Sequence, residues 1–287
     1  MTRKEQTIDL SIGGRNHRIT SDDVYLRQMR SGTGNALNSA LRGLVGLNRF
    51  EPRMDKLFSS LIEKQFDVLD VGANIGCTSI LFGHLARSVT AFEPTPRTFE
   101  LWRGNIAASG LPNITCHKMA LGSEEKHAEI SYSDSNRSGA FVMDQVNPGV
   151  GETASIDVRT LDAVFPALKL PGLDFVKLDV EGYEGKVIEG GWDTIQRYRP
   201  VIQLELNSWC LNAQQRTSLP DFLDLLVDRF PFVYGIEKNH YTDVRSHAGR
   251  WLVMPKNILE QRYKEMVVAF DKASLDRFHA AYSPVRG

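Results

Sequence analysis

The sequence predicts an α/β fold built on a mostly parallel, doubly wound sheet, and three observations carry that expectation. From Phe66 onward, short β-prone runs alternate with helical stretches, the pattern of parallel strands joined by crossover helices. A glycine-rich turn, Asp70-Val-Gly-Ala-Asn-Ile-Gly76, joins the first of these strands to the first helix. The second strand closes on an acid, Glu93, 23 positions after Asp70, which is where doubly wound folds place a ribose-binding carboxylate.

Residues 1–50 precede this pattern. They carry scattered arginines (Arg15, Arg18, Arg27, Arg30, Arg42, Arg49) and little sustained periodicity, so they read as an N-terminal extension. Leu41, Leu44, Val45 and Leu47 suggest a short apolar helical face that would cap a site or contact a second subunit, making a homodimer an open expectation. The remainder, 51–287, reads as one domain.

Within that domain Phe66 to Val71 predicts a strand and Thr78 to Leu85 a helix. Ser88 to Phe92 is a second strand, Pro96 to Ala108 a helix with proline in its first turn, and Ile114 to Met119 a third strand. The rhythm breaks between about 123 and 160. There Ala128 to Tyr132 and Ser155 to Arg159 alternate as an inserted hairpin or meander, joined by a polar loop at Ser133 to Gly139. Leu173 to Asp179 resumes as a strand, followed by a helix from about Glu184, a strand at Pro200 to Leu206 and a helix at Leu219 to Arg229. The last third predicts strands at Phe232 to Glu237 and Arg250 to Met254, a polar loop between them at Lys238 to Gly249, and a closing helix at Asn257 to Phe270.

Composition narrows the function classes. A chain of 287 residues with 42% hydrophobic content can fill a sizeable core. The formal charge of -1, from 34 basic and 35 acidic residues, provides no global field for nucleic acid. Cys77, Cys116 and Cys210 stand far apart, without zinc-site spacing, and read as reduced thiols. The polar start and the lack of any run of about 18 apolar residues predict no membrane association and a cytoplasmic setting.

The segment from Asp70 to Gly76 is the most informative. Gly72 and Gly76 stand where backbone approaches a ligand at a strand-to-helix turn, and the helix beginning near Gly76 offers free N–H groups suited to a carboxylate or phosphate. Asp70 would accept from an ammonium group or order the turn. Glu93 would accept from both hydroxyls of a ribose. Because the turn lacks Gly-x-Gly-x-x-Gly, the usual approach to a dinucleotide pyrophosphate is missing. S-adenosylmethionine, which has a ribose and a carboxylate but no phosphate, fits better, with its adenine beside Ala120, Leu121 and Gly122.

Four segments, Asp70 to Gly76, Phe92-Glu-Pro-Thr-Pro96, Phe175-Val-Lys-Leu-Asp-Val-Glu-Gly182 and Arg199-Pro-Val-Ile-Gln-Leu-Glu205, resemble the FkbM family of methyltransferases across roughly residues 65–210. Ala120-Leu-Gly122 and Thr160-Leu-Asp162 are further landmarks of that resemblance. It implies a Rossmann-like class I methyltransferase fold and methyl transfer from S-adenosylmethionine to a hydroxyl of a sugar, glycan or natural-product small molecule. Asp70, Gly72, Asn74, Gly76, Glu93, Pro94, Ala120 and Leu121 are the candidate cofactor-binding residues. Two positions depart from the family pattern: Gly185 replaces a larger helix former and Cys77 an aromatic residue.

Strand carboxyl ends face the ligand in this topology, which nominates Asp179 and Glu181, and Glu205 on the next strand, as catalytic candidates. Capping of the helix near Glu184 is the competing role for the first two. No metal is expected; the alternative left open is a magnesium ion on Asp179, Glu205 and Asn207. Lys177 would pair locally. His240 and His247 are further base candidates, Ser135 to Ser138 a segment that would close over substrate, and Trp209, with Trp192 less favoured, a sugar-stacking face.

An NAD(P)-dependent oxidoreductase would also use Glu93 but lacks its glycine pattern, and Tyr183 and Lys186 lie three apart rather than four. A nucleic-acid methyltransferase would need an Asn/Asp-Pro-Pro-aromatic tetrapeptide, which is absent. A catalytically inactive cofactor-binding scaffold is the non-enzymatic alternative.

Overall fold

A computed structural model describes residues 5–22, 50–133, 136–143 and 152–285. The apolar face at Leu41 to Leu47 and position Ser135 lie outside them. The chain begins with a hairpin, β1 (Gln6–Ile12) and β2 (Arg15–Ser21), followed by α1 (Pro52–Leu61). The alternating unit then runs β3 (Asp67–Val71), α2 (Cys77–Leu85), β4 (Ser88–Phe92), α3 (Pro96–Ser109) and β5 (Ile114–His117). Next come β6 (Ala120–Leu121), β7 (Lys126–Ser133), β8 (Asn136–Met143), β9 (Glu152–Arg159) and α4 (Leu161–Leu168). The second half contains β10 (Phe175–Leu178), α5 (Glu184–Gly190), α6 (Trp192–Tyr198), β11 (Val201–Glu205), α7 (Ser208–Gln215) and α8 (Leu219–Arg229). It ends with β12 (Phe232–Glu237), β13 (His240–Asp243), α9 (His247–Glu260), β14 (Glu265–Ala269), α10 (Asp276–Ala281) and β15 (Ser283–Pro284).

The central sheet is ordered β15-β13-β12-β14-β11-β10-β3-β4-β5. β11, β10, β3, β4 and β5 are mutually parallel, whereas β14 runs antiparallel between β11 and β12. Successive strand residues serve opposite faces, as the two-residue period requires. Val68 belongs to one buried layer, with Phe58, Phe82 and Trp102 from α1, α2 and α3. Its neighbour Leu69 belongs to the opposite buried layer, with Ile188, Leu211 and Phe222 from α5, α7 and α8. Edge-to-face contacts of Phe82 with Phe58 at 4.7 Å and with Phe175 at 5.8 Å centre the first layer.

The N-terminal hairpin was not anticipated. Its Gly13-Gly14 turn has positive φ at both positions, the geometry of a two-residue hairpin loop. Alternation buries Leu10, Ile12 and Ile19. Asn105 of α3 accepts from Thr20 N–H at 2.8 Å and donates to Thr20 O at 3.0 Å and Ile75 O at 2.9 Å, tying hairpin, helix and ligand turn together.

The inserted strands form a separate sheet, β6-β9-β7-β8. Part of the polar loop expected at Ser133 to Gly139 is strand instead, since β8 begins at Asn136 and pairs with β7.

The last third differs most. Arg250 to Met254 lies inside α9, not in a strand. Ser246 caps that helix by accepting the Gly249 N–H at 3.0 Å, and Gly249, Val253 and Asn257 are buried at a four-residue spacing. The predicted closing helix stops at Glu260; Gln261 and Tyr263 turn the chain at positive φ, and Glu265–Ala269 becomes a strand buried between two neighbours. The polar loop after Glu237 contains β13, returned by a two-residue turn with Lys238 at φ 57°. Among the described residues no helix is long and apolar enough to cross a membrane.

Candidate active site

A cleft opens at the carboxyl ends of β3, β4, β10 and β11. Its walls include Gly72, Asn74, Glu93, Pro94, Ala120, Leu121, Asp179, Glu181 and Glu205 from the predicted set. Asp70 and Gly76 are not among the lining residues. Asp70 is fully buried behind the turn, accepting from Ser79 Oγ at 2.6 Å, and Ser79 in turn accepts from Trp102 Nε1 at 3.1 Å. It orders the turn. Gly76, at φ 93°, faces α3: a Cβ there would meet Trp102 Cδ1 at 3.0 Å.

Backbone bonds set the shape of the turn. Gly72 and Ala73 N–H groups both donate to Phe92 O, at 3.0 and 3.1 Å. Asn74, at φ 51°, donates to Glu93 Oε2 at 3.0 Å, and Thr95 N–H donates to Glu93 Oε1 at 2.9 Å. Both Glu93 oxygens are thereby fixed, and each retains acceptor capacity. Burial raises the Glu93 pKa above the usual carboxylate value, against the pull of these N–H groups and of Lys177. The N–H groups of Gly72 to Asn74 are thus already engaged. For an incoming carboxylate the cleft offers the first turn of α2, where Cys77 and Thr78 line the wall and the helix leaves its first N–H groups without intrahelical partners.

Lys177 is the pivot between the turn and the acids. Its buried ammonium donates to Gly72 O at 3.0 Å and lies 3.4 Å from Asp70 Oδ1 and 3.3 Å from Asp179 Oδ2. Burial opposes this charge, but Asp179 and Asp70 outweigh it and hold the Lys177 pKa above the usual lysine value. Local pairing, as expected, is its arrangement.

Asp179, Glu181 and Glu205 converge, with one carboxylate oxygen from each within 4.8 Å of the others. Three acids so close share protons or hold a hard cation. Burial, then the Asp179 charge, raises the pKa values of both Glu181 and Glu205. Cys210 Sγ donates to Glu181 Oε2 at 3.0 Å. Glu181 and Gly182 take positive φ, and a Cβ on Gly182 would lie 2.9 Å from the Cys210 carbonyl carbon. The N-cap of α5, Tyr183, makes no side-chain capping bond, and the buried Glu184 carboxylate at the helix start instead braces the preceding loop, accepting from Val180 N–H at 3.0 Å and Gly182 N–H at 3.4 Å. Asn207 is absorbed differently: its Oδ1 caps α7 by accepting from Cys210 N–H at 3.2 Å, and it lines a neighbouring groove.

Several lining residues lacked a sequence signal for this position. Glu51 enters from just before α1, and Ile130 from β7 of the small sheet. Thr95, beside the Glu-Pro pair, was within reach of the motif but was not singled out. His240 and His247 line no part of the cleft; His247 Nε2 accepts from Trp251 Nε1 at 2.8 Å. Trp192 packs edge-on against Phe230 at 5.7 Å, whereas Trp209 is 66% exposed.

The family described as Methyltransferase FkbM domain matches residues 70–234, more than half the chain and nearly all the strands that build this cleft. The chain belongs to that family. Its architecture is the Rossmann-like class I methyltransferase fold. Methyltransferase 1 of Beauveria bassiana is 26% identical over 160 residues, covering 48% of this chain and 64% of that protein. Hexuronic acid methyltransferase AglP of Haloferax volcanii is 31% identical over 140 residues, covering 47% of this chain and 54% of that protein. The chain therefore matches between half and two thirds of the length of these two relatives. The crystal structure of methyltransferase FkbM from Methylobacillus flagellatus aligns with a TM-score of 0.40 at 18% identity, over 61% of this chain and 43% of that one.

Proposed function

We propose that this FkbM-family chain is an S-adenosylmethionine-dependent O-methyltransferase acting on a hydroxyl of a sugar or glycan. The observation that carries the reading is one cleft with two acidic ends: Glu93 fixed by Asn74 and Thr95, and Asp179, Glu181 and Glu205 converging at the neighbouring strand ends.

The residues present fit that donor. Glu93 retains acceptor capacity for paired ribose hydroxyls. Met119, Ala120, Leu121 and Ile130 supply an apolar wall for adenine, and Cys77 and Thr78 at the α2 N-terminus suit a carboxylate. When bound, the donor supplies a methyl group already activated by positively charged sulfur.

The chain's own task is to position an acceptor hydroxyl and remove its proton. Asp179 is the base in this reading. Its side chain is 44% exposed toward the cleft, and Lys177 holds it in register with the ligand turn. Glu181 and Glu205, whose carboxyls burial and the Asp179 charge shift toward the protonated form, would hydrogen-bond the acceptor hydroxyl beside Asp179.

The hexuronic acid methyltransferase AglP supports the sugar class, through a match confined to 47% of this chain. A transfer assay with methyl-labelled donor against free uronic acids, neutral sugars and phenolic hydroxyls tests the proposal. Label in a base-stable sugar methyl ether is the expected result. Transfer to phenols alone, or to no hydroxyl at all, would contradict it.

A further inference from the structure

We infer that the groove beside the β11 exit is a second sugar subsite, which holds a unit of an acidic oligosaccharide distal to the unit being methylated. The inference rests on the sugar reading above.

Trp209 carries the argument. It stands at the start of α7, lines this groove and leaves 66% of its surface in water. An exposed indole is a large apolar face with nothing covering it among the described residues, and the apolar C–H face of a pyranose matches it. Around it lie Asn212, Gln261 and Lys264. All three are exposed. Their side chains have no hydrogen-bond or ion-pair partner among the described residues. Two amides, each both donor and acceptor, suit vicinal hydroxyls, and the exposed Lys264 ammonium, which feels the Glu181 charge but makes no direct ion pair with it, suits a uronate carboxylate.

The groove is also connected to the chemistry. Glu205 lines the active cleft and Trp209 lies four residues further along the chain, at most about 15 Å away. Gln261 and Lys264 form a wall shared with an adjoining recess that reaches Glu51, and Glu51 is a wall of the active cleft. An extended acceptor would therefore pass from the acids, by Glu51 and Lys264, to Trp209.

The walls are cross-braced before any ligand arrives. Asn257 Nδ2 donates to Leu206 O at 2.8 Å and to Arg262 O at 2.9 Å, and Leu206 N–H donates to Lys264 O at 2.6 Å. A prearranged groove of this kind spares a ligand the cost of ordering it.

The test is calorimetry on the full chain with tetragalacturonate, galacturonate and maltotetraose, comparing wild type, Trp209→Ala and Lys264→Gln. Each sample is first titrated with S-adenosylhomocysteine. Wild type is expected to bind the acidic tetramer about tenfold or more tighter than the monomer. Trp209→Ala should erase that advantage, and Lys264→Gln the preference for the acidic over the neutral tetramer, with S-adenosylhomocysteine affinity unchanged in both. Equal monomer and tetramer affinities in wild type, or a Trp209→Ala protein that still prefers the tetramer, would overturn the subsite while leaving the methyltransferase reading intact. A wild-type protein that binds no S-adenosylhomocysteine would overturn that reading instead.

Discussion

Gly72 and Asp179 approach so closely that a Cβ on the glycine would lie 1.9 Å from the Asp179 carbonyl oxygen. This contact joins the ligand turn after β3 to the acidic end of β10, and Gly72 also needs its positive φ of 80°. The glycine serves the approach of two chain segments as well as that of a ligand.

Gly72→Ala should therefore destabilise the protein by more than about 3 kcal/mol, since backbone cannot yield as a flexible side chain would. Gly185→Ala is the contrast. A Cβ there would meet Phe222 at an ordinary 3.6 Å inside α5, and a gain of roughly 0.5–1 kcal/mol is expected. Urea unfolding of both variants checks the pair.

Loss of the Glu93 carboxylate removes the acceptor for the Asn74 and Thr95 N–H groups as well as the proposed ribose contact. Glu93→Ala should weaken S-adenosylhomocysteine binding by about 1.5–3 kcal/mol, the scale of charge-assisted hydrogen bonds. Calorimetry on a variant with an unaltered circular dichroism spectrum reads this out, and unchanged affinity would remove Glu93 from the donor site.

Asp179→Asn preserves shape while removing the charge nearest Lys177 on the cleft side. Turnover should fall about a hundredfold or more, with donor affinity close to normal. Full activity in this variant would transfer the base role to another group.

The acid cluster also predicts how stability varies with pH. Carboxylates in the unfolded chain titrate near 4.3, while burial pushes Glu184 and Glu265 up to about 8 and also raises Glu181 and Glu205. Between those limits the folded state holds more protons than the unfolded state, so this contribution is complete below about pH 4.3 and is lost as pH rises. The ligand-free protein should melt at lower temperature at pH 8.5 than at pH 6. Glu205→Gln, which removes one buried acid whose Oε2 has no hydrogen-bond partner, should flatten that slope. A steeper slope in the variant would contradict the assignment.

Much of the central sheet was legible because parallel strands buried on both faces leave β-prone runs, and α3 is bracketed by Pro96 at its start and Gly110 at its end. The approach of Asp179 to Glu205 followed from the same reasoning, since both stand at or just beyond a strand's end, but the third member expected there, Asn207, caps α7 and Glu181 takes that place. What escaped divides between local signals outweighed by weaker ones and positions set by partners distant in the chain. Arg250 to Met254 is too short a run to separate helix from strand, and the Ser246 cap and the buried spacing of Gly249, Val253 and Asn257 were the stronger signals. Glu265–Ala269 is strand because β11 and β12 leave a slot for it. The hairpin signal at Gly13-Gly14 was present in the sequence, whereas nothing local places Glu51 or Ile130 in the cleft. Glycine spacing, conversely, suggested ligand contact at Gly76, where the structure uses the missing side chain to admit Trp102.

Calorimetric titration with S-adenosylhomocysteine, run in parallel with NAD, tests the central claim most directly. Micromolar binding of S-adenosylhomocysteine with no heat from NAD is the predicted result. Binding of NAD alone, or of neither ligand, would contradict the account of this cleft as a methyl-donor site.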